Sequence, residues 1–530
     1  MTEQPRQLQV RRKEKKPSKL KARLFLVLGI FACLGVVAGI VVYAQKRLIV
    51  TRPAGKNVVI KVSAGADLQQ AINIAQPGDT IELQAGASYT GAFTLPYKNG
   101  NEFVTIRSSA ADRLPDGKRV EATAAANMAK ILSSGRAAPA ITAEPRAHHY
   151  RFTGIEFAPS NADIIYNLID FGSDAEKLAD VPHHLEIDRS YLHPFAKGGR
   201  VRRGLALNSA DTVIKNSYFQ GFAFPGEETQ AICGWSGTKN IQIVNNKLEG
   251  GAENVMFGGS DPRSADMTPS DIEIRGNWMY KPLEWKGAVT TKTLFELKNA
   301  KRVQVTGNLM ENAPEGEMMR ITVRNQDGSA PYSTIEDVTI RNNVFMHSVN
   351  GTQILGRDDI NPSQRLKRVR VVNNLFIDTE TYFLRIADGE DVEFSHNTVF
   401  HGGNAIIAYG TPPTRFVFRD NIFPYNEYGF FGDGAGVGAR GLARYLQGAT
   451  FRNNAIVNNN DLSGVAFTMP GGNFEVRGFG GVGFVNYGGK NFRLSPGSRL
   501  KGKATDAGDV GCNIDELLSA LPRDLHTRIQ

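Results

Sequence analysis

The sequence predicts an all-β protein: a right-handed parallel β-helix solenoid of about ten or more coils, with an N-terminal capping helix and one N-terminal transmembrane helix. Three observations predict it. A short phrase ending in asparagine recurs along the chain, strand-like runs lie between its copies, and an uncharged apolar run follows a basic N-terminus.

The repeated phrase is apolar, any, apolar, any, polar, Asn, any, apolar, as in VTIRNNVF (338–345) and VRVVNNLF (369–376). Its alternation indicates a strand, and its spacing of a few tens of residues indicates a solenoid with loops of unequal length. One asparagine per coil at one register predicts an internal ladder of side-chain amides. The aligned positions are Ser190, Ser217, Asn246, Asn277, Asn308, Asn343, Asn374, Asn397, Asn421 and Asn454.

Further strands complete each coil. Runs such as VMFGG (255–259) and TLFELKN (293–299) precede the repeated phrases, so each coil has two strands and a third, short one in its variable part. The amphipathic segment 66–75 predicts the N-terminal capping helix, with Asp67 as its N-cap residue. The segment 513–521 predicts a short helix that caps the far end.

The positive charge is concentrated at the N-terminus. Residues 1–23 carry nine Lys/Arg against two acids, so only two of the nine net positive charges belong to the rest of the chain. A nearly neutral body disfavours nucleic acid as a partner.

The charge-free run that follows is about as long as the apolar core of a bilayer. The sequence therefore predicts five segments: a basic cytoplasmic tail (1–23), a transmembrane signal-anchor or signal peptide (24–44), a linker (45–57), the β-helix domain (58–515) and a C-terminal cap or tail (516–530). The basic side stays in the cytoplasm. The predicted location is the cell membrane, single-pass, with the β-helix periplasmic or extracellular. Cleavage after Ala44 would instead make the protein secreted.

Several segments resemble a known group. PGDTIELQAGASYTGAFTLP (77–96) and ITAEPRAHHYRFTGIEF (141–157) resemble the first coils of pectin-lyase-like right-handed parallel β-helix proteins of bacteria. GGAENVMFGGSDP (250–262) and LFELKNAKRVQVTGN (294–308) resemble an uncharacterised exported subfamily of that group. The resemblance covers about residues 57–515 and implies the fold. This fold serves lyases, hydrolases, esterases, epimerases and adhesins, so it does not select a reaction.

The candidate site is a charged stripe on the outer face of the longest coils. In LFELKN, Phe295 and Leu297 should point inward, and Glu296 and Lys298 outward. We interpret Lys298 or Arg320 as a catalytic base and Arg324 as a binder or acid. Three further residues are candidates for substrate binding: Trp285, Arg357 and Arg385. Three are candidates for a cation, with Ca²⁺ as the candidate cofactor: Glu253, Asn254 and Glu296.

These residues suit an acidic polysaccharide, because guanidinium groups pair with uronate carboxylates and β-elimination needs a neutralised carboxylate, a base and an acid. The first hypothesis is an exported carbohydrate-active protein, a polysaccharide lyase acting on uronate-containing polysaccharide. The alternative is a non-catalytic module that binds cell-surface or cell-wall glycan, or a structural spacer, in which the charges form a ladder of salt bridges.

The sequence contains two pairs of adjacent histidines, His148-His149 and His183-His184. Neighbours on a strand point to opposite faces, so we do not expect either pair to share a metal ion.

Overall fold

The computed structural model describes residues 49–426, 428–458 and 471–529. The chain from Val50 to Gln530 forms one compact unit. The predicted segments 1–23 and 24–44 lie outside the described residues. Within the described ranges, no helix is long and apolar enough to cross a membrane.

The first sheet follows the repeated phrase. Its strands pair in parallel from coil to coil, as the predicted solenoid requires. Among the described residues it has fourteen strands: Val59–Val62, Thr80–Leu83, Val104–Ser108, His148–Thr153, His183–Asp188, Ala210–Lys215, Lys239–Val244, Ser270–Arg275, Ala300–Thr306, Ile335–Arg341, Lys367–Val372, Glu390–Ser395, Val417–Arg419 and Thr450–Arg452.

The second sheet begins directly after each asparagine turn, and it is also parallel. Two of its strands run on without a break into the third sheet, Leu309–Thr322 and Val344–Leu355. The others are Ser88–Gly91, Ala129–Ser133, Ile155–Pro159, Tyr191–Leu192, Tyr218–Phe222, Lys247–Gly250, Trp278–Tyr280, Leu375–Thr379, Thr398–His401, Ile422–Pro424, Ala455–Asn458 and Phe474–Arg477.

The third sheet closes each coil and carries the candidate site. Besides the two shared strands it contains Phe93–Leu95, Ile141–Ala143, Ile164–Phe171, Arg200–Leu207, Gln230–Gly234, Glu253–Phe257, Thr293–Leu297, Tyr382–Ala387, Asn404–Ala408 and Phe430–Gly432. Gly436–Val437 pairs with the last of these in antiparallel fashion, and Phe484–Asn486 pairs with Asn491–Leu494 in a separate hairpin.

In the part of the chain that the structure describes, the helices are short and lie outside the coil. The α-helices are Leu68–Ile74, Ala439–Tyr445 and Ile514–Ala520. The 3₁₀ turns are Ala111–Arg113, Ala122–Asn127, Leu178–Asp180, Ala265–Met267, Leu283–Trp285, Phe479–Val482 and Arg523–Arg528. The predicted N-terminal helix is confirmed, since the Asp67 side chain accepts a hydrogen bond from the Gln70 amide and Leu68 and Ile72 are fully buried.

The predicted asparagine ladder is confirmed. Each side-chain amide donates to the Oδ1 of the next coil at 2.9–3.1 Å, from Asn246 without a break to Asn473. Asn473 lies one coil beyond the last predicted copy. The residue before the ladder asparagine adopts a left-handed backbone, as at Asn342 with φ 56° and Gly307 with φ 65°. Asn and Gly tolerate this conformation, so a two-residue turn joins the first and second sheets.

The C-terminal segment differs from the predicted end cap. The helix Ile514–Ala520 forms, but its buried face packs against apolar residues that leave the second sheet outward, namely Leu309, Val344 and Leu375. Arg528 lies on the same outer side of the second sheet, which we call the flank, and its Nε donates to Glu311 at 3.0 Å. At the far end of the coil it is the helix Ala439–Tyr445 that contributes to the main core, through Tyr445.

Candidate functional site

A cleft of about 410 Å³ opens on the outer face of the third sheet. Its floor is formed by the strands Thr293–Leu297 and Leu309–Thr322 and by the residues that directly follow them. Loops between the sheets form its walls, because the long coils of this region place their extra residues there. The lining residues are Glu228, Lys292, Glu296, Lys298, Arg320, Thr322, Arg324, Gln326, Gln353, Asp358, Ile360 and Asn361.

The strand register aligns the polar floor residues. Glu296 pairs with Arg320, Arg320 with Gln353, and Gln353 with Arg385, so the four form one column across successive coils. The expected orientation of LFELKN is confirmed, since Phe295 and Leu297 are fully buried in the core. At about 4.8 Å per coil, this column runs for roughly 15 Å.

Two carboxyl groups meet beneath this floor. Glu253 of the preceding coil lies near enough for its charge to act on Glu296, and Gln230 Nε2 donates to Glu253 Oε2 at 2.8 Å. Burial, followed by the charge of Glu253, raises the pKa of Glu296 well above its usual range. Among the described residues, Glu253 Oε1 and Glu296 Oε2 are buried without a hydrogen-bond partner. The pair therefore retains unused capacity to bind a proton or a cation.

Two basic groups flank the pair. Lys298 Nζ lies 3.9 Å from Glu296 Oε1, and its side chain is 17% exposed. Arg320 Nη2 donates to Glu317 Oε2 at 2.7 Å, which fixes one edge of the guanidinium group. Arg320 Nε is buried without a partner among the described residues. This arrangement places an amine and a guanidinium group beside a carboxyl group of raised pKa, in a cleft that is open to a ligand.

Arg324 lies in the wall of the cleft. Its Nη1 donates to Asp358 at 3.1 Å and also to Asp359. Asp358 in turn accepts the backbone amides of Asn325 at 2.7 Å and Ile360 at 2.9 Å. The guanidinium group thus ties two loops together, so its geometry fits a group that shapes the wall better than one that transfers a proton.

None of the three residues predicted to bind substrate is among the residues that line the cleft. Trp285 ends a 3₁₀ turn in the loop before Lys292. Arg357 is more than half exposed and bonds Asp388 at 3.2 Å. Arg385 belongs to the floor column, but its guanidinium group stacks on Tyr409 at 4.6 Å.

Asn254 is the candidate whose position differs most from expectation. In register it follows the outward pair Gln230 and Glu253, and the equivalent residues Ala231 and Leu294 belong to the core. Its Nδ2 donates to the Leu248 carbonyl at 2.6 Å and the Tyr280 carbonyl at 2.9 Å. The third sheet turns two successive residues inward here, which simple alternation does not predict. We therefore leave Asn254 out of the proposed site.

The sequence analysis missed Glu228, Lys292 and Gln353. Glu228 and Lys292 form an ion pair that crosses one wall of the cleft. Neither belongs to a strand, so only the fold brings them together over 64 positions of sequence. Gln353 had a detectable signal, because it occupies the strand position of Arg320 in the following coil.

The family model described as "Periplasmic copper-binding protein (NosD)" matches residues 280–467. No curated protein matches the chain.

Among solved structures, a mutant of the PL6 family alginate lyase AlyGC superposes with a TM-score of 0.47 at 14% identity; it covers 88% of this chain, which spans 58% of that lyase. A GH87 alpha-1,3-glucanase from Streptomyces thermodiastaticus gives a TM-score of 0.48 at 14% identity, over 82% of this chain and 70% of the glucanase. A mannuronic acid specific family 6 lyase from human gut microbiota gives 0.42 at 13%, over 79% and 91%.

At 13–14% identity these similarities carry no cleft residue from one protein to another. The three parallel sheets, the internal asparagine ladder and the N-terminal helix are observed in the chain itself. The chain is therefore a parallel β-helix protein, and over residues 280–467 it is similar to the family described as periplasmic copper-binding protein (NosD).

Proposed function

We propose that this protein is an extracytoplasmic carbohydrate-active protein that binds a uronate-containing polysaccharide in the cleft and cleaves it by β-elimination. One observation carries the proposal: Lys298 and Arg320 flank the buried carboxyl group of Glu296 on the floor of an open cleft. A neutral, proton-bearing carboxyl group beside a guanidinium group and an amine suits a reaction that needs a proton donor, a neutralised substrate carboxylate and a base.

Each group takes a role that its position permits. Arg320 binds the uronate carboxylate and withdraws its charge, which acidifies the proton at C5. Lys298 takes that proton on its Nζ. The electron pair left at C5 forms the C4–C5 double bond, and the C4–O4 bond breaks. Glu296 gives its proton to the departing oxygen. The raised pKa of Glu296 supports this role, because a carboxyl group must remain protonated near neutral pH to act as the acid.

A hydrolase mechanism fits less well. Glycosidases place two carboxyl groups on either side of the scissile bond, about 5–5.5 Å apart in retaining enzymes and farther in inverting ones. Glu253 is fully buried and is not one of the residues that line the cleft, so it cannot face a glycosidic bond from the side opposite Glu296.

Calcium is a second way of neutralising the substrate carboxylate. The unpartnered Glu253 Oε1 and Glu296 Oε2 are the oxygen ligands that Ca²⁺ prefers, although two carboxylates leave most of its six to eight positions to water and substrate. Bound calcium would supply charge neutralisation. It would also displace the proton of Glu296, so calcium binding and the acid role exclude each other in a single step.

The location is part of the proposal. The basic residues 1–23 and the apolar run 24–44 support an exported body that remains tethered to the membrane. The similarity of residues 280–467 to a family described as periplasmic supports the same side of the membrane.

The test is the ultraviolet absorbance of unsaturated uronate, followed while the full-length chain acts on a panel of uronate polysaccharides with and without calcium. We expect absorbance to rise with at least one polysaccharide, and the rise to disappear in Lys298→Ala but not in Lys301→Ala. Lys301 is a matched control, because it is a lysine three residues away that belongs to the first sheet. A flat trace from folded protein across the panel would overturn the lyase proposal. If affinity electrophoresis then showed retention in the same polysaccharides, the alternative of a glycan-binding module would replace it.

A further inference from the structure

Four histidine side chains form a compact cluster where two successive strands of the first sheet begin, far from the cleft in sequence. His148 and His149 open the strand His148–Thr153, and His183 and His184 open the next strand of the sheet. His148 pairs with His183 in register. The rings of His148 and His183 stack 4.9 Å apart, and those of His149 and His184 stack 4.4 Å apart.

The backbone explains why both members of each pair lie on one side of the sheet. His149 and His184 adopt left-handed φ angles of 57° and 54°. This bend at the strand entrance abolishes the alternation of side chains that the sequence analysis assumed. As a result, Nδ1 of His148 lies 2.7 Å from Nδ1 of His149, and the same distance separates the pair in the next coil. The expectation that the histidines of a pair face apart is wrong.

Later coils carry charged residues at the position that His149 and His184 occupy in theirs. From Asp271 onward the left-handed residue at the strand entrance is acidic and basic in turn, so that neighbouring coils form ion pairs such as Arg302–Asp271 at 2.6 Å and Arg368–Asp337. The histidine coils lack this pattern. The carboxylate beside them is Asp211, whose Oδ2 lies 3.7 Å from His184 Nδ1. Stacked imidazoles do not neutralise one another as an Arg and an Asp do.

The nitrogen atoms are placed for a metal ion. One ligand atom from each of His149, His183 and His184 lies within 4.8 Å of the other two. Four-coordinate zinc, with bonds of about 2.0–2.1 Å to imidazole, needs ligand nitrogens roughly 3.3 Å apart. The rings of His149 and His184 are stacked in nearly parallel planes, so one of them must turn out of the stack for both to bind the same ion. A hydrogen bond between two Nδ1 atoms requires a lone pair on one of them. A metal ion can take the place of the shared proton.

The surroundings make the cluster a defined and reachable site. The ring of Tyr97 meets His148 edge-on at 5.2 Å, and Phe103 meets His149 at the same distance. These aromatic rings limit the motion of two of the imidazoles. The His184 side chain is 44% exposed, which leaves an entry path from solvent.

We propose that His149, His183 and His184 bind one late first-row divalent ion, of the zinc and copper class, with Asp211 beside the site as a charge-balancing group. Imidazole ligands select this class over calcium and magnesium, which prefer oxygen. The site joins two successive coils near the N-terminal end of the solenoid. It lies outside residues 280–467, so the family match does not bear on it, and it is independent of the cleft.

The test is equilibrium dialysis of the chelator-treated full-length chain against zinc sulfate alone and copper sulfate alone, with metal analysis. We expect one ion per chain, and an affinity at least about ten-fold weaker in the double variant His149→Asn/His184→Asn. Asparagine tolerates the left-handed backbone at both positions. His347→Asn is the matched control, because His347 is an exposed histidine with φ 58° on the second sheet.

A second readout on the unsubstituted protein keeps the test independent of how the variant folds. Copper bound at this site should give an electron paramagnetic resonance spectrum with hyperfine structure from several ring nitrogens. Binding well below one ion per chain would overturn the proposal. So would equal affinity in a correctly folded double variant, or a copper spectrum with oxygen ligands alone.

Discussion

Glu296 lies in the third sheet one coil beyond Glu253, whose charge acts on it at a depth where Glu296 is only 1% exposed. Burial and then the neighbouring carboxylate raise the pKa of Glu296. A group whose pKa is raised by folding contributes stability that is complete below its unfolded value. That stability is lost as the pH rises through the folded value.

The contribution of Glu296 to the free energy of unfolding should therefore fall as the pH rises from about 5 to about 9, and Glu296→Gln should remove this part of the pH dependence. Glutamine keeps the shape of the side chain and cannot ionise. We expect a difference of about 2 kcal/mol or more across the window, since one pKa unit corresponds to about 1.4 kcal/mol. Chemical denaturation at a series of pH values measures it. Glu284→Gln, in an exposed loop, is the control and should leave the wild-type slope unchanged; equal slopes in both variants would contradict the prediction.

The ladder makes a second prediction, about stability alone. Asn308 accepts the Asn277 amide at Oδ1 and donates from Nδ2 to Asn343 and to the Ile274 carbonyl, all fully inside the coil. Asn308→Ala leaves those groups unpaired, at about 1–3 kcal/mol each. We expect a loss of at least about 3 kcal/mol by denaturant unfolding. Asn101→Ala, at an exposed bend, should cost less than about 0.5 kcal/mol. Similar losses in both variants would refute an energetic role for the ladder.

The coil could be predicted from sequence because its signals are local and repeated. The alternating residues before Asn343 and the left-handed Asn342 recur in every copy of the turn, so each coil provides the same evidence again. The floor of the cleft followed from the same regularity, since Glu296 and Arg320 occupy one register.

What escaped prediction depends on breaks in that regularity. The left-handed His149 and the double inward step at Asn254 both reverse side-chain direction, and the sequence gives no separate sign of either. The position of the C-terminal helix on the outer side of the second sheet could have been predicted from the sequence. The residue directly after each ladder asparagine is apolar at Leu309, Val344 and Leu375, although it points out of the coil. Three outward apolar residues in a column predict a covering segment.

That covering segment makes the third prediction. Leu517 is fully buried against the flank, so Leu517→Ala should cost about 2–5 kcal/mol and loosen the coils beneath it. Hydrogen exchange should rise first around Val344 in the second sheet, because the helix covers that flank. Faster exchange confined to Phe474–Arg477, the last strand of that sheet, would instead support the end cap expected from sequence. Leu283→Ala, at a leucine that is 62% exposed, is the control for losing leucine side-chain atoms.

The fourth prediction separates the two interpretations of Arg324. The sequence alone allowed it to act as the acid, whereas its bonds to Asp358 and Asp359 indicate a group that holds the wall. A wall residue affects substrate binding, so Arg324→Gln should raise KM several-fold and leave kcat within about a factor of three. Lys298→Ala, which removes the proposed base, should lower kcat by about 10²–10⁴. Asp358→Asn weakens the same wall from the other side and should reproduce the effect of Arg324→Gln. Steady-state kinetics on the polysaccharide that reacts fastest measures all three. If Arg324→Gln lowered kcat as far as Lys298→Ala does, Arg324 would have to be assigned to proton transfer and Glu296 would lose that role.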